Sequence, residues 1–315
     1  MGLDIQYLLV LQKLREATGG VFDEVMNGIS KFAVDVLPLL PFVIFWCFSR
    51  KWGYRSIITC WFGELLNGIV KLTVCAYRPW IRSDLIEPAG DSKVAASGYS
   101  FPSGHTMLGT AVYGTMTVWQ WKKNRWISWM CLAFMLLTGF SRNFLGVHTP
   151  QDVIVGMAES WLVILLVGKL MEKLTDNRFA DKMSIALAVF AIASLVYVMF
   201  KSYPMDYVEG KLLVDPVSMM KDHFKAVGGI LGLVAGNLIE RHKLHYEIPK
   251  GHEKLPLLTA IGAGILFAWT EYFSKATVRV WLGTNWGALV GGFLTVFFGL
   301  VIWPAVIKKA CRSDN

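Results

Sequence analysis

Long apolar stretches alternate with polar connections along the chain from residue 32 to residue 303. Each apolar stretch is about 20 residues long, which is the length an α-helix needs to cross the hydrocarbon core of a bilayer. The pattern therefore predicts nine membrane helices. They are placed at Phe32–Phe48, Ser56–Tyr77, Ser103–Trp121, Trp126–Arg142, Pro150–Met171, Met183–Phe200, His223–Ile239, Leu255–Phe273 and Trp281–Trp303.

The segment Met1–Ser30 has a different pattern, in which apolar and charged residues alternate with helical spacing. We expect an amphipathic helix lying in the membrane interface, with a soluble cap as the alternative. Its apolar run LLVL is short and has no basic residue before it. We therefore expect no signal peptide in this segment.

Composition agrees with a membrane protein. Hydrophobic residues make up 54% of the 315 residues and charged residues 17%, and the mean hydropathy is +0.46. These values favour an all-α, polytopic membrane helical bundle over a soluble domain. The five cysteines show no metal-ligand spacing, so they predict neither disulfides nor a zinc site.

Charge sets the expected orientation, because Lys and Arg favour cytoplasmic connections. The amino terminus is then outside and the carboxyl terminus inside, as expected of a multi-pass protein in a bacterial plasma membrane. The net charge of +8 arises from the basic cytoplasmic face and calls for no nucleic-acid partner. The basic segments are Ser49–Arg55, Trp121–Arg125, Glu172–Lys182, Arg241–Lys254 and the tail from Lys308; the acidic residues of the opposite side are Asp84, Glu87, Asp91, Asp206, Glu209 and Asp215.

The second predicted membrane helix ends with the sequence KLTVCAYRP. Lys71 and Arg78 are seven residues apart, so on one helix they lie about 20° apart in azimuth and roughly 10 Å apart along the axis. Pro79 is expected to end that helix. Two cations on one face of a membrane helix indicate that something negative meets them there.

A long polar loop follows and ends with GYSFPSGHT. Pro102, Ser103 and Gly104 are predicted to open the third helix. The first N–H groups of such a helix form an anion site, and Gly104 lets a ligand approach the backbone. His105 is then placed to donate or accept a proton.

The third motif is GFSRNFLGVHTPQD, in which Arg142 closes the fourth helix. Thr149 and Pro150 have the typical N-cap and first-turn residues of a helix, and Asp152 completes a variant capping box. His148 then lies just outside that helix, close enough for Asp152 to fix its ring. All three motifs fall on the predicted extracytoplasmic side, and their cations, helix starts and histidines suit a phosphate group.

With these residues in place, the chain resembles the type-2 phosphatidic acid phosphatase superfamily, which also includes glucose-6-phosphatase and the vanadium haloperoxidases. The signature Lys-x6-Arg-Pro, Pro-Ser-Gly-His and Ser-Arg-x5-His-x3-Asp occurs in order, at Lys71–Pro79, Pro102–His105 and Ser141–Asp152. The resemblance covers residues 1–172, which match a six-helix phosphatase core if the amphipathic helix counts as one. Residues 173–315 add about four membrane helices of unknown role.

The resemblance implies a role for each signature residue. His148 is the nucleophile that forms a phosphohistidine, Asp152 holds its ring, and His105 is the general acid and then the general base. No metal and no cofactor are expected, because cations occupy the places a divalent ion would take. The implied ligands of the phosphoryl oxygens are Lys71, Arg78, Ser103, the Gly104 N–H group and Arg142.

The implied activity is metal-independent hydrolysis of a lipid phosphate, a phosphomonoester or a diphosphate, at the extracytoplasmic side. A lipid phosphotransferase with the same intermediate and a sugar phosphatase like glucose-6-phosphatase remain alternatives. A lipid transporter is the alternative from another class. It is disfavoured because transport gives no reason for pairing His148 with Asp152.

Three further features remain open at the level of sequence. Glu159 lies seven residues beyond Asp152 and is a candidate counter-ion of Lys71, with Glu64 and Asn67 as rival partners. Glycines repeat every fourth residue in the seventh and ninth helices, which predicts close helix packing or, alternatively, a homodimer interface. The loop Lys201–Lys221 lies on the predicted side of the site and is a candidate cover for it.

Overall fold

The computed structural model describes residues 2–96, 98–173, 177–208 and 210–312. Glu209 of the predicted acidic loop lies outside these ranges. So do residues 174–176 and 313–315, which belong to two of the predicted cytoplasmic segments.

The described chain is almost entirely helical, which confirms the all-α prediction. One short antiparallel pair of strands, β1 (Tyr207–Val208) and β2 (Lys211–Leu212), interrupts the helices. The helices are α1 (Leu3–Ala17), α2 (Asp23–Asp35), α3 (Leu40–Val43), α4 (Arg50–Val74), α5 (Pro79–Arg82), α6 (Ser92–Ala95), α7 (Gly104–Gln120), α8 (Arg125–Phe144), α9 (Pro150–Lys173), α10 (Asn177–Phe200), α11 (Pro216–Ile239), α12 (Leu255–Ala268), α13 (Arg279–Leu282), α14 (Thr284–Phe297) and α15 (Trp303–Arg312). A 3₁₀ turn at Leu37–Leu39 and π-helical turns at Ile44–Phe48, Glu240–Leu244, Trp269–Val278 and Phe298–Ile302 continue some of these helices.

Six helical segments of the described chain are long and apolar enough to cross a membrane. The other three predicted spans form α7, α8 and α11, which are helical as expected but are not among those six. Helix α7 has only 17 residues, and α11 carries Lys221, Asp222 and Lys225 in its first half. The six segments are Asp23–Phe48, Arg50–Arg82, Pro150–Lys173, Asn177–Phe200, Leu255–Leu282 and Thr284–Arg312.

The amino-terminal segment forms two helices rather than the single amphipathic helix predicted for Met1–Ser30. Gly19 and Gly20 separate α1 from α2, with φ angles of +60° and +72°. These left-handed conformations cost glycine little and break the helix at that point. Helix α2 then forms the beginning of the first membrane-capable segment, Asp23–Phe48.

The second predicted helix also ends earlier than expected, at Val74. Cys75 adopts a left-handed conformation with a φ of +52°, and its N–H donates to the carbonyl of Lys71 at 3.0 Å. This closes the helix before Arg78, which instead precedes α5. The prediction that Lys71 and Arg78 share one helix face was therefore wrong.

The ninth predicted helix starts at Thr284 rather than at Trp281. Gly283 has a φ of +77° and separates α13 from α14. The structure thus assigns Trp281 to the end of the preceding segment, Leu255–Leu282.

The predicted glycine ridge is used for packing within the chain, between α11 and α14. A Cβ added to Gly228 would lie 1.8 Å from the carbonyl oxygen of Leu289, and one added to Gly232 would lie 2.5 Å from that of Phe293. On the opposite face of α11, Gly229 packs on the ring of Trp61 in α4. One continuous apolar core therefore joins the two halves of the chain.

Replacing Gly228 by Ala should destabilise the protein, because the new methyl group has no room against the backbone of α14. We expect a loss of about 1–3 kcal/mol in the free energy of unfolding, measured as a lower midpoint of thermal unfolding in detergent. Gly264→Ala in α12 is the matched control, since its Cβ would meet nothing within 4 Å. Equal midpoints for the two variants would refute the packing assignment.

Candidate active site

A cavity of about 290 Å³ lies between the carboxyl end of α4, the start of α7, the first half of α11 and the segment before α9. It collects residues from all three sequence motifs, although they come from separate parts of the chain. Five of the predicted site residues line it: Lys71, Arg78, Gly104, His105 and His148.

The His148 ring is held from behind by Asp152. The Nδ1 atom of His148 lies 3.3 Å from Asp152 Oδ2, and both side chains are buried. The same Oδ2 atom accepts the backbone N–H of Thr149 at 2.8 Å, while Thr149 Oγ1 accepts the N–H of Asp152 at 3.4 Å. The predicted capping box is thus confirmed, and it places the carboxylate beside the imidazole.

Arg78 lies against the other side of the His148 ring. Its Nη1 donates to the carbonyl of Val147 at 2.9 Å and to Nε2 of His148 at 2.9 Å. Its Nε donates to the carbonyl of Gly98 at 3.2 Å. A guanidinium has only donors, so Nε2 must accept, and the ring proton is assigned to Nδ1, which faces Asp152.

Electrostatics favour the neutral form of this imidazole. Burial, and then the positive charge of Arg78, hold the pKa of the His148 ring well below its usual value. A neutral ring keeps a lone pair on Nε2, which faces the cavity. That is the state a nitrogen nucleophile requires.

Ser100 belongs to this network, and the sequence analysis did not identify it. Its hydroxyl donates to Asp152 Oδ2 at 2.6 Å and lies 3.4 Å from Nδ1 of His148. Its own N–H donates to the carbonyl of Ala76 at 2.7 Å. Ser100 thereby ties the end of the first motif to the carboxylate of the third, which only the folded chain reveals.

The start of α7 lies beside Lys71. A Cβ added to Gly104 would be 3.7 Å from the Lys71 Nζ atom and 3.6 Å from Asn67 Oδ1. The ammonium group and the first N–H groups of α7 therefore face the same space. Such a pairing of a cation with a helix start favours an anion.

Ser103 stands behind the cavity wall as the N-cap of α7. Its buried hydroxyl accepts the N–H of Thr106 at 3.4 Å and the Thr106 hydroxyl at 2.9 Å. Its N–H donates to the carbonyl of Asp152 at 2.9 Å. Gly156 permits this approach, since its Cβ would lie 2.8 Å from the Ser103 carbonyl. The predicted contact of Ser103 with phosphate stays a prediction.

Arg142 is also buried behind the wall. Its Nη1 donates to the hydroxyl of Ser30 in α2, and its carbonyl accepts the N–H groups of Val147 and His148 at 3.2 and 3.3 Å. Ser30, which the sequence analysis did not identify, thus orients the guanidinium. The role of Arg142 as a phosphate ligand stays a prediction.

Glu159 binds Asn67 and not Lys71, the partner that its spacing in the sequence suggested. Its Oε2 accepts the side-chain N–H of Asn67 at 3.0 Å, whereas in the described part of the chain it forms no ion pair with Lys71 within 4.0 Å. Glu64, the other rival, pairs with Lys225 of α11 at 3.5 Å. One candidate counter-ion of Lys71 is thus bound to an amide and the other to a different lysine.

The last residues of the loop Lys201–Lys221, the candidate cover of the site, line the cavity. Ser218 and Met219 line it, and the Lys201 ammonium donates to the Leu72 carbonyl at 2.5 Å. Asp206 accepts the hydroxyl of Tyr77. The loop therefore contacts the end of α4 that carries the first motif.

A family model described as the PAP2 superfamily matches residues 53–176. Undecaprenyl-diphosphatase BcrC of Bacillus subtilis (strain 168) is 32% identical over 163 residues, which cover 50% of this chain and 76% of that protein. The chain belongs to the PAP2 superfamily.

Two further relatives extend the comparison. Phosphatidylglycerophosphatase B of Bacillus subtilis (strain 168) is 28% identical over 51% of this chain and 79% of its own length. Lipid phosphate phosphatase delta of Arabidopsis thaliana is 24% identical over 76% of this chain and 57% of its own length. No solved structure matches the chain significantly.

Membership in the superfamily indicates the class of enzyme, and the six membrane-capable segments indicate the class of membrane protein. The relatives bear the names of phosphatases, and this chain is a phosphatase, a phosphoric ester hydrolase. It is also a multi-pass membrane protein. Among the residues described, no group of three His, Cys, Asp or Glu side chains is placed to hold a metal ion.

Replacing Ser100 by Ala should lower phosphatase activity, because Asp152 loses a donor and the His148 ring is less firmly held. A hydrogen bond to a charged group contributes about 1.5–3 kcal/mol, so kcat/KM should fall roughly 10- to 100-fold. Ser184→Ala in α10, far from the cavity, is the matched control. Wild-type activity in Ser100→Ala would remove the serine from the network.

Proposed function

We propose that the protein hydrolyses a lipid phosphate, a phosphomonoester or a diphosphate, through a phosphohistidine intermediate. The observation that carries the proposal is the buried His148 ring, which lines the cavity with Nδ1 beside Asp152 and with Nε2 accepting from Arg78. A fixed neutral ring whose lone pair is directed at a cation suits attack on phosphorus once that cation binds the phosphate.

In the first step, Nε2 of His148 attacks the phosphorus atom. The P–N bond forms as the bond from phosphorus to the lipid oxygen breaks. The protonated ring of His105, whose positive charge the bound anionic phosphate stabilises, gives its proton to that oxygen. Arg78 must leave Nε2 for this attack, and the natural destination of its guanidinium is a phosphoryl oxygen. Asp152 stabilises the positive charge that develops on the ring.

In the second step, water attacks the phosphohistidine. His105, now neutral, takes a proton from the water as the new P–O bond forms and the P–N bond breaks. Inorganic phosphate leaves and His148 returns to its neutral form. The cycle ends with both histidines in their starting states.

The cations stabilise the phosphoryl charge in both steps. Lys71, Arg78 and Gly104 line the cavity, and we assign the N–H of Gly104, together with Ser103 and Arg142, to the same task once substrate is bound. Concentrated positive charge away from bulk water stabilises a phosphoryl transition state strongly. We therefore propose that the reaction needs no metal ion.

The lipid nature of the substrate follows from the site's position and from the relatives. The cavity lies at the ends of membrane helices, where a phosphate head group can enter while its tail remains in lipid. The relatives are named for undecaprenyl diphosphate, phosphatidylglycerophosphate and lipid phosphate substrates. We assign the chemistry to residues 1–172 and a supporting role to residues 173–315.

We further propose that the site faces the extracytoplasmic side of a bacterial plasma membrane. The support is the distribution of basic residues, which are concentrated in the connections on the opposite side of the bundle. The amino terminus would then be outside and the carboxyl terminus in the cytoplasm.

The intermediate provides a direct test. With a ³²P-labelled lipid phosphate, His148→Ala should release no phosphate and carry no label. His105→Ala should slow release by about 100-fold or more and retain acid-labile, base-stable label on the protein when the leaving group is a good one. EDTA should leave the wild-type rate unchanged. Phosphate release by His148→Ala at the wild-type rate would exclude the proposed nucleophile.

The orientation can be tested with single cysteines in a background without the five native ones. A cysteine at Ser83 should react with a membrane-impermeant maleimide in intact cells. A cysteine at Asn124 should react only after permeabilisation, because it lies in a predicted cytoplasmic connection. The reverse pattern would show that the site opens to the cytoplasm.

A further inference from the structure

Helix α11 forms a second wall of the active-site cavity, opposite the phosphate-binding residues. Lys221, Asp222, His223 and Lys225 all line the cavity, and the sequence analysis placed none of them in the site. They lie beyond residues 53–176, where the family model matches. This wall is thus supplied by the carboxyl-terminal half of the chain.

The charges of this wall cancel one another. Lys225 lies 3.5 Å from Glu64, and Lys221 lies 3.8 Å from Asp222. Two cations are matched by two carboxylates, so in the part of the chain described here the wall adds no excess positive charge. A second phosphate group would require such an excess, whereas an uncharged polar group would not.

His223 supplies a hydrogen-bond acceptor to the same wall. The Ser194 hydroxyl donates to the Ala191 carbonyl at 2.7 Å, so its oxygen must accept from Nε2 of His223 at 3.1 Å. The ring proton is thereby assigned to Nε2, and Nδ1 carries a lone pair. Within the described residues Nδ1 has no hydrogen-bond partner, although the side chain is only 1% exposed.

Gly68 lies directly beside this acceptor. It also lines the cavity, and a Cβ added to it would lie 2.6 Å from Nδ1 of His223. Gly68 precedes Lys71 by three residues on α4, a rise of about 4.5 Å. The acceptor therefore lies beside the stretch of α4 that leads to Lys71, which we assign to the phosphate.

We propose that this wall is a subsite for an uncharged, hydroxyl-bearing part of the lipid, with the hydroxyl donating to Nδ1 of His223. The inference rests on the proposed function and specifies its substrate class. It favours monoesters with a hydroxyl on the carbon next to the phosphate-bearing carbon, as in a glycerol with a free 2-hydroxyl. It disfavours prenyl diphosphates, which bring a second phosphate and no hydroxyl.

A matched pair of substrates isolates the hydroxyl. One is 1-acyl-glycerol 3-phosphate, and the other is the same molecule without its 2-hydroxyl, the acyl ester of propanediol phosphate. One neutral hydrogen bond contributes about 0.5–1.5 kcal/mol, so the wild-type kcat/KM should favour the hydroxyl substrate about 2- to 10-fold. Farnesyl diphosphate should be turned over less efficiently than the hydroxyl substrate.

Variants then test the acceptor. His223→Leu should bring the ratio of the two kcat/KM values close to 1, while His223→Asn, whose amide oxygen can replace Nδ1, should retain most of the preference. Gly68→Ala should abolish the preference, because its new Cβ would occupy the space beside Nδ1. This variant keeps the test available if His223→Leu does not fold. His242→Leu is the matched control and should keep the wild-type ratio, because His242 lies in the π-helical turn after α11, beside Asp181.

The outcomes distinguish failure of the subsite from failure of the proposed function. Release of phosphate from both substrates with a wild-type ratio of 1, or an unchanged ratio in both His223→Leu and Gly68→Ala, would overturn the subsite and leave the proposed function intact. A clear preference for farnesyl diphosphate would also overturn it. Failure of the wild type to release phosphate from any of the three would overturn the proposed function, and the subsite with it.

Discussion

The site depends on the hydrogen bonds that converge on Asp152. Its carboxylate binds the N–H of Thr149, the hydroxyl of Ser100 and the His148 ring, and its carbonyl accepts the N–H of Ser103. One residue thus starts α9, orients the imidazole and joins the second and third motifs. Each of these donors replaces a contact that the buried carboxylate would otherwise make with water.

The neighbouring cations need an arrangement of their own, because several positive groups near one another repel. In the described structure Arg78 donates to two backbone carbonyls and to the His148 ring. Arg142 donates to the hydroxyl of Ser30. These contacts hold the guanidinium groups in place before substrate arrives. Under the proposed mechanism the Arg78 guanidinium then moves only from the ring to a phosphoryl oxygen, so the developing charge is stabilised with little reorganisation.

The carboxyl-terminal half connects to this site through close packing of helices. Glycines on both faces of α11 let it approach α14 on one side and α4 on the other. That approach brings side chains of α11 into the cavity, and the Lys201 ammonium donates to the carbonyl of Leu72 near the end of α4. The glycines that allow this close packing therefore also determine which residues of α11 line the cavity. The homodimer that the ridge suggested is not needed to explain them.

The sequence by itself determined the helical membrane fold, the three motifs and the capping box at Thr149 and Asp152, because these depend on local spacing and on hydrophobic length. It could not determine where α4 ends, since a single left-handed residue, Cys75, decides that. It also could not identify Ser100, Ser30 or His223, because no local pattern marks a hydroxyl or a ring whose partner lies on another helix. Those contacts arise only when separate helices pack together, so the tertiary structure alone decided them.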